Sequence, residues 1–324
     1  MFLNRRQALV ASAAVMAPMI ANAKLPAHAK ILCPFSAGAT VDMVCRQLAE
    51  QLRGKLAETV IVENRTGAGG LLAIDALVRS PADGLTLMVH GGAIQSVFPH
   101  TMPKLPYDPF KDVAPVSMTH QLEYGFAVGP AVPESVRTLN EFLAWVRSNP
   151  KGGAFATPGA GTPLHFVPMV VSQSSKVDLV PVHYRGSSAA MPDILGGQVP
   201  AISTALSDLV PFLADGKVRM LATSGPTRNS LTRNTPTYAE QGFPEVTAVA
   251  YNAVFVQGDT ARAKQEEISS MVRAALATEP VRVAFEKAYI KPYGCTPSEA
   301  LTEGRAGYER WGKVVKAVGY VPAQ

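Results

Sequence analysis

A catalytic or metal centre in this chain would have to be assembled from His90, His100, His120, His165 and His183, with Cys33, Cys45 and Cys295 as thiols. Zinc hydrolysis needs two histidines one helical turn apart and a carboxylate in register, and the scattered histidines have neither. Three cysteines with no Cys-x-x-Cys spacing argue against a metal site and against a disulfide framework. Cys33 falls in an apolar run and Cys45 on a core-facing stripe, so both read as buried thiols. Ser187, His165 and Asp193 supply the residue types of an acyl-transfer triad, but no Gly-x-Ser-x-Gly turn presents the serine. Polar side chains lining a cleft or closing helix ends account for these residues more simply.

The other chemistry within reach is anion binding by backbone. In Ile31–Asp42 an apolar run, Ile31 to Cys33, is ended by Pro34 and followed by the small residues Ser36, Ala37, Gly38 and Ala39. A helix then starts near Val41, with Val41, Val44, Cys45, Leu48 and Leu52 on one face. The free N–H groups of such a helix start, and its dipole, favour a negative charge. Gly159-Ala160-Gly161-Thr162-Pro163 makes a second start of the same kind, with Thr162 at the N-cap and Pro163 at the first helical position. Arg185 lies in a third loop, where it either contacts a carboxylate or sits solvated on the rim. Gly67-Ala68-Gly69-Gly70 also joins strand to helix. The third glycine of a dinucleotide fingerprint would fall at Leu72, and no acid ends the next strand, so nicotinamide or flavin binding is not indicated. No Gly-x-x-x-x-Gly-Lys-Ser/Thr phosphate loop occurs.

These loops must be carried by a folded body. The chain has 324 residues, 47% hydrophobic and 17% charged, which suits about two ordinary domains. Arg5 and Arg6, the apolar Ala8–Ile20 and Ala21-Asn22-Ala23 follow one another as the parts of a signal peptide do, with cleavage after Ala23. Sec export fits better than twin-arginine export, because Ala8 stands where the latter prefers a large apolar residue. Removing residues 1–23 takes away two arginines and no acid, so the net charge falls from +5 to +3. That is too mild for nucleic acid, and no aromatic-basic interleaving occurs.

Along the chain, strands are expected at Thr59–Glu63, Leu85–Val89, Val113–Met118, Glu123–Val128, Ala154–Thr157, Leu179–Val182, Val199–Ser203 and Arg219–Thr223. Helices are expected at Leu71–Arg79, after the capping box Thr138-x-x-Glu141, at Leu164–Ser174, up to Leu195, at Ala261–Ala277 and after the capping box Thr296-Pro297-Ser298-Glu299. Pro168 should kink its helix or push the start later, and Gly304 and Gly307 should weaken the last one. Pro99–Pro115 reads as a surface excursion, and Val246–Val256 as one long strand. The expected architecture is α/β: residues 24–122 and 248–324 form lobe one, residues 123–247 lobe two, with extended crossings near 119–128 and 246–256 and a cleft between the lobes.

Taken together, these stretches resemble the tripartite tricarboxylate transporter substrate-binding protein family, also called the Bug family. The matching pieces are Pro34-Phe35 with Gly38 and Asp42, Val62-Glu63-Asn64-Arg65 with Gly67 to Gly70, Asp83-Gly84-Leu85-Thr86-Leu87, and Tyr107-Asp108-Pro109 with Asp112. Further on come Gly159-x-Gly161-Thr162-Pro163-x-His165, Tyr184-Arg185-Gly186, Asp193 to Val199, Gly216-Lys217-Val218-Arg219, Pro236-Thr237 with Ala239-Glu240 and Gly242, and Trp311-Gly312-Lys313-Val314-Val315. The resemblance implies a two-lobed periplasmic binding protein of type II, a Venus flytrap that closes on a small carboxylate through backbone N–H groups. It implies no enzyme, cofactor or metal. It implies a monomer in the periplasm that hands its ligand to membrane transporter subunits or to a sensor. A secreted hydrolase using Ser187 and His165 is the alternative.

Carried over by position, the ligand contacts are Phe35, Ser36, Ala37, Gly38, Ala39, Thr40 and Asp42, Gly91 beyond the third strand, then Gly159, Ala160, Gly161, Thr162, His165, Tyr184, Arg185 and Thr204. Asp42 is expected to fix its loop rather than touch an anion. The chain departs from the family pattern at Ala39, where glycine is usual, at Thr66, where proline is, and at Tyr251, where tryptophan is frequent. His90-Gly91-Gly92-Ala93 replaces a loop that usually carries hydroxyls, and the acid common near Thr204 is missing. Without those hydroxyls the pocket floor should be more open and less polar, suited to a larger or less polar carboxylate than a small dicarboxylate, aromatic ones included.

Overall fold

The computed structural model describes residues 25–102, 104–247 and 249–317. The expected signal peptide lies outside them. The chain forms two sheets. The first contains β1 (His28–Cys33), β2 (Thr59–Asn64), β3 (Thr86–Gly91), β4 (Val113–Leu122), β10 (Ala250–Gln257) and β11 (Lys291–Pro292), in the order β11-β4-β10-β3-β1-β2. The second contains β5 (Tyr124–Val128), β6 (Ala154–Thr157), β7 (Val180–His183), β8 (Ala201–Ala205) and β9 (Arg219–Thr223), in the order β7-β6-β8-β5-β9. β1, β2 and β3 are parallel, as are β6, β7 and β8, while β10 and β5 run antiparallel to both of their neighbours. Parallel strands covered by helices on both faces must be apolar on both faces, and Ile31, Leu32 and Cys33 are all buried.

Only Glu123 separates β4 from β5, so one extended stretch passes from sheet to sheet. The second passage differs from the long strand expected at 246–256. Pro244–Val246 is a 3-10 turn, and β10 begins at Ala250 as a member of the first sheet alone. Leu122 pairs with Ala250, which brings the two passages side by side.

Helix α1 (Thr40–Leu52) buries the expected Val41, Val44, Cys45, Leu48 and Leu52 against the first sheet. α2 (Leu71–Val78) follows β2. Two short helices, α3 (Ala93–Ser96) and α4 (Phe98–Thr101), follow β3; α4 runs into the stretch read as a surface excursion, Pro99–Pro115, where Thr101 and Tyr107 are buried. Tyr107 donates to the Ile94 carbonyl at 2.6 Å, which folds the proline-rich loop back on the core. α5 (Leu139–Ser148) starts with the expected reciprocal box: Glu141 N–H donates to the Thr138 hydroxyl, and Thr138 N–H to the Glu141 carboxylate. α6 (Pro163–Ser175) starts at its first proline, so Pro168 does not delay it. α7 (Ser187–Leu195), α8 (Leu206–Leu213), α9 (Arg262–Leu276) and α10 (Glu279–Lys287) follow. α8 and α10 were not anticipated, and Pro211 inside α8 disguises its period.

The last helix, α11 (Pro297–Ala317), runs through both glycines expected to weaken it. A Cβ at Gly304 would stand 2.6 Å from the Gln95 side-chain oxygen, and one at Gly307 2.8 Å from the Ser96 Cβ. The glycines therefore let α11 lie directly on α3. An apolar core continues from Leu32 and Met88 in the first sheet, through Phe98 of α4, to Phe126, Phe142, Phe155 and Phe166 around the second.

Candidate functional site

A cavity of about 120 Å³ opens between the sheets, beyond the carboxyl ends of β1, β3, β6 and β8. Lobe one contributes Phe35, Ala39, Thr40 and Val41 from the β1–α1 joint, then His90 to Ala93, Ser96 and Phe98. Lobe two contributes Pro158, Thr162 to Leu164, Ser187, Thr204 and Asp208. The passages between the sheets supply His120, Leu122, Tyr124, Tyr251 and Asn252, and α11 supplies Gly307 and Arg310. Of the positions expected to touch ligand, Phe35, Ala39, Thr40, Gly91, Thr162 and Thr204 line this cavity.

The remaining expected residues lie around this cavity without lining it. Ser36 meets Ser188 of the opposite lobe, hydroxyl to hydroxyl at 2.8 Å. Ala37 is exposed beside it. Asp42 accepts from Gly38 N–H at 3.1 Å, from Arg46 Nε at 2.9 Å and from Asn64 Nδ2 at 2.8 Å. Burial alone would push its pKa up, but these donors more than compensate and hold the carboxyl below the usual aspartate value. It fixes the loop from behind. Gly161 N–H donates to His165 Nδ1 at 3.1 Å, and the Gly161 carbonyl accepts from Thr101 of lobe one at 3.0 Å. A Cβ on Gly159 would stand 3.1 Å from the Gly69 Cα, so this loop is also a place where the lobes touch. Ala160 is exposed, with its carbonyl facing Gly69. Tyr184 donates to Asp193 at 2.5 Å, and Arg185 is exposed.

The two helix starts are capped differently. Thr162, at the N-cap of α6, accepts from His165 N–H. Ala39, at the N-cap of α1, has no side-chain acceptor to offer, so the first-turn donors of α1 receive no cap.

Asp208 is the polar centre of the cleft. It accepts from the Thr40 hydroxyl at 2.5 Å, the Ser187 hydroxyl at 2.7 Å and the Thr204 hydroxyl at 3.2 Å. Thr40 belongs to lobe one and the other two to lobe two, so a single carboxylate bridges the cleft. The acid missing near Thr204 is thus supplied one helical turn later. That spacing, Thr204 to Asp208, was the available signal in the sequence. Arg310 likewise follows Gly307 by one turn on the pocket face of α11.

The space vacated by hydroxyl residues at the floor is not open. A Cβ on Gly92 would stand 2.1 Å from the Tyr251 ring, so the aromatic side chain fills what glycine leaves. Gly91 has only ordinary contacts, the nearest at 3.5 Å. Burial lowers the His90 and His120 imidazoles to about 4, so both are neutral near pH 7. Burial, with His183 beside it, lowers His165 to about 4 as well. Among the described residues no three His, Cys, Asp or Glu side chains converge as metal ligands would. Ser187 donates to Asp208 while His165 accepts from Gly161, which divides the paper triad between separate networks.

Among the described residues no helix is long and apolar enough to cross a membrane. The family model of the tripartite tricarboxylate transporter family receptor matches residues 44–320. The protein BugT of Bordetella pertussis is 28% identical over 311 residues, which are 96% of this chain and 95% of BugT. A solved structure described as a periplasmic transporter is 29% identical, with a TM-score of 0.81 over 89% of this chain and 96% of that one. An R. palustris protein solved with adipate shares the fold at 24% identity, with a TM-score of 0.83 over 91% of this chain and 98% of that one. A match across the body of the chain, in sequence and in its two-lobed type II fold, makes this chain a member of the tripartite tricarboxylate transporter receptor family, a periplasmic solute-binding protein.

Proposed function

We propose that the protein captures a small organic carboxylate between its lobes and delivers it to membrane subunits of a tripartite tricarboxylate-type transporter. The observation that carries this reading is the uncapped start of α1 opening into a cavity lined from both lobes. Free helix-start donors in a partly apolar cleft attract a carboxylate without an enzyme's machinery. The adipate held by the R. palustris relative in the same fold supports a carboxylate here. Residues 24–122 and 248–324 act as one lobe and residues 123–247 as the other, and Arg185 adds positive potential at the rim. The mature chain starts at Lys24, works in the periplasm as a monomer and catalyses nothing. Closure around the ligand is the working step. The hydrolase expected as the alternative would need the Ser187 hydroxyl within reach of His165, and it donates to Asp208 instead.

The test is a thermal-shift screen of residues 24–324 after unfolding and refolding to strip bound ligand. The panel holds aliphatic di- and tricarboxylates, amino acids and aromatic carboxylates. A ligand at about a hundred times its Kd should add roughly 2.7 kcal/mol of stability. No shift across the panel would overturn the reading.

A further inference from the structure

The charges lining the cleft are balanced. Among the described residues, Asp208 and Arg310 are the lining groups that carry a formal charge, and His90 and His120 are neutral. A dianion entering such a site would leave its second charge uncompensated, whereas a ligand of zero net charge would not. The arrangement of the groups is more specific than their sum. Thr40 is the first residue of α1, so its peptide belongs to the uncapped helix start, while its hydroxyl touches Asp208 at 2.5 Å. A carboxylate acceptor and an ammonium acceptor therefore lie side by side. A carboxylate offers about four acceptor sites, and the Thr40, Ser187 and Thr204 hydroxyls occupy three of them. Nearby, the Tyr251 hydroxyl has no hydrogen-bond partner although the residue is only 8% exposed, and the buried Ser207 hydroxyl has none either. Both residues line the cavity, and such groups are costly unless a ligand satisfies them. Much of the rest of the wall is apolar, with Phe35, Phe98, Leu122 and Leu164 beside the polar Ser96, Thr162 and Asn252.

We propose that the cleft selects a zwitterion of the α-amino carboxylate type with an apolar side chain, its carboxylate on the α1 start and its ammonium on Asp208. The inference rests on the carboxylate-binding reading above and narrows it. A single tetrahedral carbon carries both charged groups of such a ligand, which matches adjacent acceptors meeting at Thr40. The side chain lies against the phenylalanines.

The test uses matched pairs that differ only in the amino group: L-phenylalanine with 3-phenylpropionate, L-leucine with 4-methylpentanoate, and L-glutamate with glutarate. Each is titrated calorimetrically into the refolded, ligand-free chain. The amino member of an apolar pair should bind roughly tenfold tighter or more, the size of one charge-assisted hydrogen bond. Asp208→Asn should bring that ratio close to one. Equal or tighter binding of the deaminated member by the natural chain would overturn the inference, and that comparison needs no variant to fold. Retention of the preference in Asp208→Asn would also overturn it. Binding of glutarate but of no amino member would remove the zwitterion and leave the carboxylate reading standing. If no member of any pair binds, and the wider panel is silent too, both fall together.

Discussion

Two strand–loop–helix joints face each other across the cleft, and they dispose of their backbone donors in opposite ways. The joint before α6 is tied up through its own mouth. Thr162 caps the helix, His165 takes the Gly161 N–H, and the Gly161 carbonyl and Gly159 press on Thr101 and Gly69 of the other lobe. The joint before α1 is tied up from behind. Asp42, Arg46 and Asn64 hold the loop, and Ala39 leaves the helix start uncapped. A small-residue loop thus identifies a joint, while the residue at the cap decides whether the joint has anything to give a ligand.

The largest expected effect sharpens this contrast through acid. His90 and His120 both lie in the first sheet and are kept neutral by burial, at about 4 against an ordinary 6.5. Unfolding below 6.5 lets them take up protons that the folded state refuses. Stability present above 6.5 is therefore lost as the pH falls toward 4, by roughly 1.4 kcal/mol per pH unit for each imidazole. Urea midpoints measured from pH 7 to 4 should fall accordingly, with a proton uptake of about three in that window, because His165 of the second lobe is lowered to about 4 as well. A flat profile would contradict the burial of both rings.

Asp42→Ala comes next. It removes the shared acceptor of the Gly38 N–H, the Asn64 amide and the Arg46 guanidinium at once, and should cost about 2–3 kcal/mol in a urea titration. Smaller again is a pair of neighbours on the pocket floor. Gly92→Ala drives a Cβ into the Tyr251 ring and should cost about 1–3 kcal/mol, whereas Gly91→Ala should change the midpoint little. Equal effects at the two sites would mean that Tyr251 moves aside readily.

The finest test exchanges the caps. Thr162→Ala should destabilise by about 1 kcal/mol, with little change in ligand affinity. Ala39→Ser supplies α1 with the acceptor it lacks. It should raise stability by up to about 1 kcal/mol and weaken ligand binding, because the new oxygen competes for the same donors. If both substitutions moved affinity equally, the contrast between the joints would fail.

Beyond the two-lobed fold that the resemblance implied, what could be read from the sequence was local. The stripe on α1, the boxes at Thr138 and Thr296 and the strand runs are set by neighbours a turn or two away, and the structure has them. The role of Asp42 behind its loop was also foreseeable, because a buried carboxylate must find donors. Asp208 was not, since its partner Thr40 lies 168 residues away in sequence and only the fold brings them together. Nor could the pocket floor be read residue by residue. Loss of hydroxyls at 91 and 92 looked like added space until Tyr251 was seen to fill it. Gly304 and Gly307 looked like weakness in the last helix, and they are the condition for its contact with α3.

The position of β10 has a consequence for the order in which the molecule can be made. It lies between β4 and β3, in the interior of the first sheet, yet it is contributed by residues 250–257. The second sheet is drawn entirely from residues 124–223. A chain delivered from its amino end can complete the second sheet while the first still has a gap between β3 and β4. The unpaired flanks of those two strands stay exposed until more than three quarters of the residues have emerged. The lobe that begins first is the lobe that finishes last, and the cleft cannot exist before the return strand arrives to close it.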